Sequence, residues 1–158
     1  MPNNSAHKSI WQTSDAIFSV ALFFGLGIHY LIYPLHVIQG IEMFRITIGA
    51  GIIIAGVVMI VFAKFAFKKF NQPSAPGKPT TTIVTTGVFR YSRNPLYTGL
   101  ALVLSGLGLA TNILWLIILT APMAFMIQRV LIVPEERYLL EKFGKTYMDY
   151  MSQVRRWL

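Results

Sequence analysis

The residues able to do chemistry in this chain fall in two clusters. The first is the stretch Thr85-Thr86-Gly87-Val88-Phe89-Arg90-Tyr91-Ser92-Arg93-Asn94-Pro95-Leu96-Tyr97-Thr98-Gly99, with two arginines, three aromatic rings and a proline at the foot of an apolar run. The second is Pro134-Glu135-Glu136-Arg137-Tyr138, which holds the only adjacent pair of acids in the sequence. Arginine can orient an anion, a carboxylate can hold hydroxyls or an ammonium, and an aromatic face attracts a cation. Glu135 and Glu136 are not spaced as a two-carboxylate hydrolytic pair, because neighbours on a helix diverge by about 100°. Each cluster also has a plain structural reading. Arg90 and Arg93 can anchor a membrane face, with Asn94 as helix N-cap and Pro95 at the first helical position. The acids can complement the dipole of the helix they begin. The backbone N–H groups at the Pro95 helix start could equally receive an anion, so both readings stand at this point.

The elements that must position these clusters are apolar. Hydrophobic residues make up 54% of the 158 residues and charged residues 13%, about half the share usual in soluble domains, and mean hydropathy is +0.57. The sequence predicts an all-α, polytopic membrane helix bundle, read as one domain over 1–158. Four spans are expected, near 16–33, 46–67, 95–110 and 113–133, with an amphipathic helical tail over 134–158. The first run, Ala16 to Tyr33, gives about 27 Å of helix at about 1.5 Å per residue, enough to cross. Pro34 ends it. Gly49, Gly51, Ala55 and Gly56 give the second run small surfaces that let a neighbour approach. The segment from Lys68 to Gly87 reads as a long Pro-, Gly- and Thr-rich loop. Thr111-Asn112 is a tight turn, which makes the last two spans an antiparallel hairpin. Pro134 is expected to interrupt the last span. In the tail, Leu139, Phe143, Tyr147, Tyr150 and Val154 form a helical stripe that Gly144 should bend.

Several function classes fall away. The net charge of +8 sits on bases that flank apolar spans, which suits membrane lipid headgroups and topology control rather than nucleic acid. Basic residues crowd the 64–93 and 129–156 segments, placing both regions, and the N-terminus, on the cytoplasmic side. With no cysteine, disulfides, zinc–thiolate sites and thiol catalysis are excluded. His7, His29 and His36 all precede residue 37, so one chain cannot supply bis-histidine haem ligation from two distant helices, and no metal is expected.

The run from Gly87 to Gly99 resembles the "G-P-Y-x-x-x-R-H/N-P-x-Y-x-G" signature of the integral-membrane methyltransferases, the group of isoprenylcysteine carboxyl methyltransferase and phospholipid N-methyltransferases. Glu135-Glu136-Arg137-Tyr138-Leu139-Leu140, then Phe143-Gly144, Tyr147, Tyr150 and Val154-Arg155-Arg156, resemble the second block of that group, in the same order and across a helical hairpin. Asn94 stands where the isoprenylcysteine enzymes usually have His, and Val88 where many have Pro. The resemblance implies S-adenosylmethionine as cofactor, with S-adenosylhomocysteine as product. It implies a cofactor site of Tyr91, Arg93, Asn94, Pro95, Tyr97, Glu135, Glu136, Tyr147 and Tyr150. Arg93, Glu136 and Arg156 are the expected catalytic residues. The acceptor would be a lipophilic small molecule or a lipid-modified substrate, in the first instance an isoprenylcysteine carboxylate. A phospholipid amine or small thiol is the alternative, as is a non-catalytic lipid-binding subunit.

Overall fold

A computed structural model describes residues 14–70 and 81–158. The polar N-terminal stretch with Trp11, and the centre of the long loop with Lys78, lie outside them. Every regular element among the described residues is helical. Helix α1 (Ser14–Gly27) closes with a wider π turn, Ile28–Ile32. Tyr33, forced extended by the proline that follows, then ends it at φ −152°. Helix α2 is Glu42–Lys69, and a 3₁₀ turn, Gly87–Arg90, leads into α3, Pro95–Thr111. Helix α4 (Leu114–Ile127) passes through a second π turn, Gln128–Ile132, into α5 (Val133–Phe143), and α6 (Lys145–Gln153) follows Gly144.

Three of these helical stretches are long and apolar enough to cross a membrane: Ser14–Ile32, Glu42–Lys69 and Leu114–Phe143. The fourth, Pro95–Thr111, is shorter. Pro134 does not interrupt the last span as the sequence suggested. The Val133 N–H reaches back to the Gln128 carbonyl, and Pro134 falls in the first turn of α5, where a missing donor costs little. One helix therefore runs for 30 residues and carries the acidic pair at its far end.

The packing order is α2 on α3, α3 on α4, and α4 on α1. The core between α3 and α4 is built of Leu104, Ile113, Leu116, Met123, Ile127, Leu131 and Ile132. Helix α2 meets α3 through glycines on both sides. A methyl group on Gly56 would stand 2.7 Å from the Gly99 carbonyl oxygen, and one on Gly99 would stand 2.7 Å from that of Gly56. Gly49 and Gly106 repeat the arrangement one heptad away, Gly49 against Ala110 and Gly106 against the Gly49 carbonyl. Gly51 and Ala55, by contrast, are exposed. Phe23, Phe24, Leu31, Phe44, Phe62 and Phe65 are all at least 56% exposed. A belt of that kind is costly in water and at home in hydrocarbon.

The end of the bundle away from the arginine cluster is pinned by polar contacts. Arg45, buried, donates to the Leu109 and Ala110 carbonyls and so caps the C-terminus of α3. Asn112, at φ 64°, turns the chain, and its Oδ1 accepts from the Val37 and Ile38 N–H groups at 2.9 and 3.1 Å. His29 and His36 meet edge to face there, ring centroids 5.3 Å apart. Among the described residues no group of three or more potential metal ligands occurs.

Candidate functional site

The site is assembled where the start of α3, the end of the long α4–α5 helix and the C-terminal segment converge. Asn94 is the N-cap residue and Pro95 the first residue of α3, as the sequence predicts, but the Asn94 side chain does not cap. The Ser92 hydroxyl accepts the Asn94 N–H at 3.1 Å, and Thr98 Oγ1 donates to the Asn94 carbonyl at 3.0 Å. This local satisfaction frees Asn94 Nδ2 to donate to the Arg156 carbonyl at 3.0 Å. The Arg93 N–H donates to the Arg155 carbonyl at 3.0 Å. Trp157 Nε1 donates to Gln128 Oε1, in the π turn, at 2.9 Å. Residues 155–157 thus form a strap tied to α3 on one side and to the α4 π turn on the other.

Beneath the strap lies a buried charge cluster. Glu136 Oε1 is 2.9 Å from Arg93 Nη1, with side-chain exposures of 10% and 9%. Arg93 Nη1 and Nε have no well-aligned hydrogen bond, so this contact is an ion pair by proximity rather than by alignment. Arg156, 33% exposed, is held in fork geometry: Nη2 lies 2.6 Å from Oε2, and Nε lies 3.1 and 3.2 Å from the two oxygens. These hydrogen bonds raise the Arg156 pKa above its ordinary value, against a smaller opposing effect of burial.

Helix α6 closes the site from the side. Gly144, at φ 52°, lets the chain turn from α5 into α6, and that turn carries the two buried tyrosines inward. Tyr150 Oη donates to the Phe89 carbonyl at 2.7 Å. Burial, and then the Glu136 charge, push the Tyr147 phenol up to about 12, while Arg93 pulls the other way. Tyr150 is raised as well, by burial first and then by Tyr147. Both are neutral hydroxyl groups at ordinary pH.

The residues singled out in the sequence distribute unevenly. Arg93, Asn94, Glu136, Tyr147 and Arg156 come together directly, and Tyr150 braces the loop that carries Arg93. Pro95 and Tyr97 are buried in the first turn of α3. Glu135 is half-buried and has no hydrogen bond or ion pair to any described residue. Tyr91 is 72% exposed and bonds to none of these side chains. Ser92, Thr98, Gln128 and Trp157 complete the framework unannounced. Their residue types are common, and only the fold brings them to the strap.

The chain matches the phospholipid methyltransferase family over residues 44–146. It belongs to that family. The matched stretch runs from the start of α2 to the start of α6, and so contains the signature loop, the hairpin and both glutamates. No curated protein and no solved structure is significantly similar to the chain. It is accordingly a membrane methyltransferase by family, with its charged cluster at one end of an apolar bundle.

Proposed function

We propose that residues 1–158 act as one unit that transfers a methyl group from S-adenosylmethionine to an acceptor partitioning into the membrane. The observation carrying this reading is the junction of the two sequence blocks, Arg93 to Glu136 at 2.9 Å, inside a phospholipid methyltransferase family chain. The donor set fits such a cofactor. Glu135 is an unspent carboxylate able to accept ribose hydroxyls or to pair with an ammonium, and Tyr147 is a neutral phenol beside Glu136 and Arg93. When bound, the cofactor supplies a methyl group on a sulfonium, which an acceptor lone pair displaces in line, leaving S-adenosylhomocysteine.

The protein's share of the work is alignment. Arg93, Glu136 and Arg156 lock the loop, the long helix and the strap into one rigid wall, and well-oriented reactants gain much of their rate from such positioning. Aromatic faces at Tyr97 and Tyr147 suit a cationic sulfur. In this reading the acceptor enters from lipid along the apolar helices, and the charge bias of the basic segments supports a cytoplasmic orientation for this end.

A lipid amine stands first among acceptors, because Glu136 already engages both guanidinium groups that could hold an acceptor carboxylate. Carboxyl methylation of the isoprenylcysteine kind is the second reading. It is favoured by the one-third exposure of Arg156, which could exchange Glu136 for a substrate carboxylate. The deciding experiment measures S-adenosylmethionine and S-adenosylhomocysteine binding to detergent-purified protein. Labelled methyl transfer to phosphatidylethanolamine and to an N-acetyl farnesylcysteine carboxylate is then measured. Saturable binding with transfer to the amine is expected. Transfer to the carboxylate alone reverses the order of acceptors. No binding by folded protein leaves a non-catalytic lipid-binding subunit.

A further inference from the structure

Exposed bases gather just outside the buried cluster, at the same end of the bundle. Lys64, Lys68 and Lys69 occupy the last turns of α2. Phe67, among them, packs on Phe89 with ring centroids 5.2 Å apart, which sets the end of α2 beside the 3₁₀ turn. Arg90 and Tyr91 follow Phe89 directly, and both are exposed. Arg155 joins them because its carbonyl accepts the Arg93 N–H at 3.0 Å while its side chain faces out. None of the five bases has a salt bridge or side-chain hydrogen bond to a described residue. Interleaved with these lysines on the last turns of α2, Phe62 and Phe65 are 56% and 62% exposed.

We infer that Lys64, Lys68, Lys69, Arg90 and Arg155, with Tyr91, form a docking surface for anionic phospholipid headgroups at the end of the bundle that carries the buried charge cluster. Depth argues for a lipid occupant: exposed phenylalanines and lysines alternate over the last turns of α2, where the apolar span ends, which is headgroup level. An exposed tyrosine is favoured at that level, its ring against acyl chain and its hydroxyl in water. Charge complementarity argues for an anionic one. Five cations without a partner among the described residues gather at this end, and Glu136 is buried and already neutralised by two arginines. Such a surface does more than orient the chain. It selects which lipids stand at the end of the bundle that carries the charge cluster, and any bearing of this on acceptor access rests on the methyl transfer proposed above.

The test uses the full chain purified in detergent and exposed to an equimolar mixture of phosphatidylglycerol and phosphatidylcholine, with retained lipids counted by native mass spectrometry. No cofactor is required, so the result stands apart from that on methyl transfer. Preferential retention of phosphatidylglycerol is expected. In the variant Arg90→Gln/Arg155→Gln the preference should fall by about 25-fold, at roughly fivefold for each of the two bases removed near a headgroup surface. Lys68→Gln/Lys69→Gln should lower it similarly, and salt should weaken it. All four positions are exposed, so unfolding temperatures should match the wild type. Equal retention of both lipids by the wild type would overturn the inference. So would a preference unchanged in both variants, or displacement of the lipid by inorganic phosphate, which would mark a site for free phosphate instead.

Discussion

Removal of the Glu136 carboxylate is the perturbation whose size the structure fixes most closely. In Glu136→Ala the Arg93 guanidinium, 9% exposed, keeps its charge and loses its counterion. Stranding one partner of a buried pair costs about 3–5 kcal/mol. Arg156 adds less, because at 33% exposure water recovers part of what it loses. Arg156→Ala is the internal comparison. It leaves the Arg93–Glu136 pair in place and removes charge-assisted hydrogen bonds, for about 1–2 kcal/mol once solvent screening is allowed for. For a chain of this size, with about 2–4 °C per kcal/mol, Glu136→Ala should lower the unfolding temperature by about 6–20 °C. Arg156→Ala should lower it by about 2–8 °C. Thermal unfolding in one detergent, followed by near-ultraviolet circular dichroism, reads both. Equal shifts in the two variants would show that Glu136 is not the shared counterion, and the clasp reasoning would fail.

Glu135→Gln should leave the unfolding temperature unchanged while weakening S-adenosylmethionine binding about tenfold or more, since a hydrogen bond to a charged group contributes about 1.5–3 kcal/mol; calorimetric titration checks it. Gly99→Ala should cost about 1–3 kcal/mol through overpacking against the Gly56 carbonyl. Gly51→Ala, with nothing within 4 Å, should be neutral or slightly stabilising in the same unfolding assay. The Tyr147 phenol titrates at about 12 in the folded chain against 10.0 ordinarily. Below pH 10 both states keep the proton and the stability is intact; between pH 10 and 12 the unfolded chain releases it first, so stability falls as pH rises. Tyr147→Phe should flatten that part of the unfolding-temperature profile.

The helices were legible in the sequence because lipid imposes a simple rule, long apolar runs closed by polar punctuation. Pro34, Asn112 and Gly144 mark three boundaries by their own backbone chemistry. Two features were less readable. Pro134 looks like a break, yet the π turn before it absorbs the missing hydrogen bond, and no residue pattern announces a π turn. The glycines of α2 look equivalent in the sequence, but Gly49 and Gly56, seven apart, face α3, while Gly51 points away. The signature glycine Gly99 is itself part of that seam. In the site, residue types pointed to Arg93, Glu136 and Arg156, while their mutual arrangement depended on the strap. Its ties, through the Arg155 and Arg156 carbonyls and the Trp157 indole, use backbone or common side chains that carry no sequence signal.

The adjacent glutamates make the strongest link between fold and chemistry. Neighbours on a helix point about 100° apart, so a pair at one helix end samples two environments. Glu136 meets Arg93 and Arg156 about one turn beyond the π turn at Gln128–Ile132. Those three charges sum to +1, and an ionised Glu135 beside them would bring the cluster to zero. Under the proposed reading the pair divides its labour: Glu136 holds the wall together, and Glu135 meets a ligand that carries positive charge. The division is open to a direct contrast. Glu136→Gln should lower stability and cofactor binding together, whereas Glu135→Gln should lower binding alone. Parallel losses of stability in both variants would make the acidic pair a single structural unit and remove the case for Glu135 as the ligand-facing group.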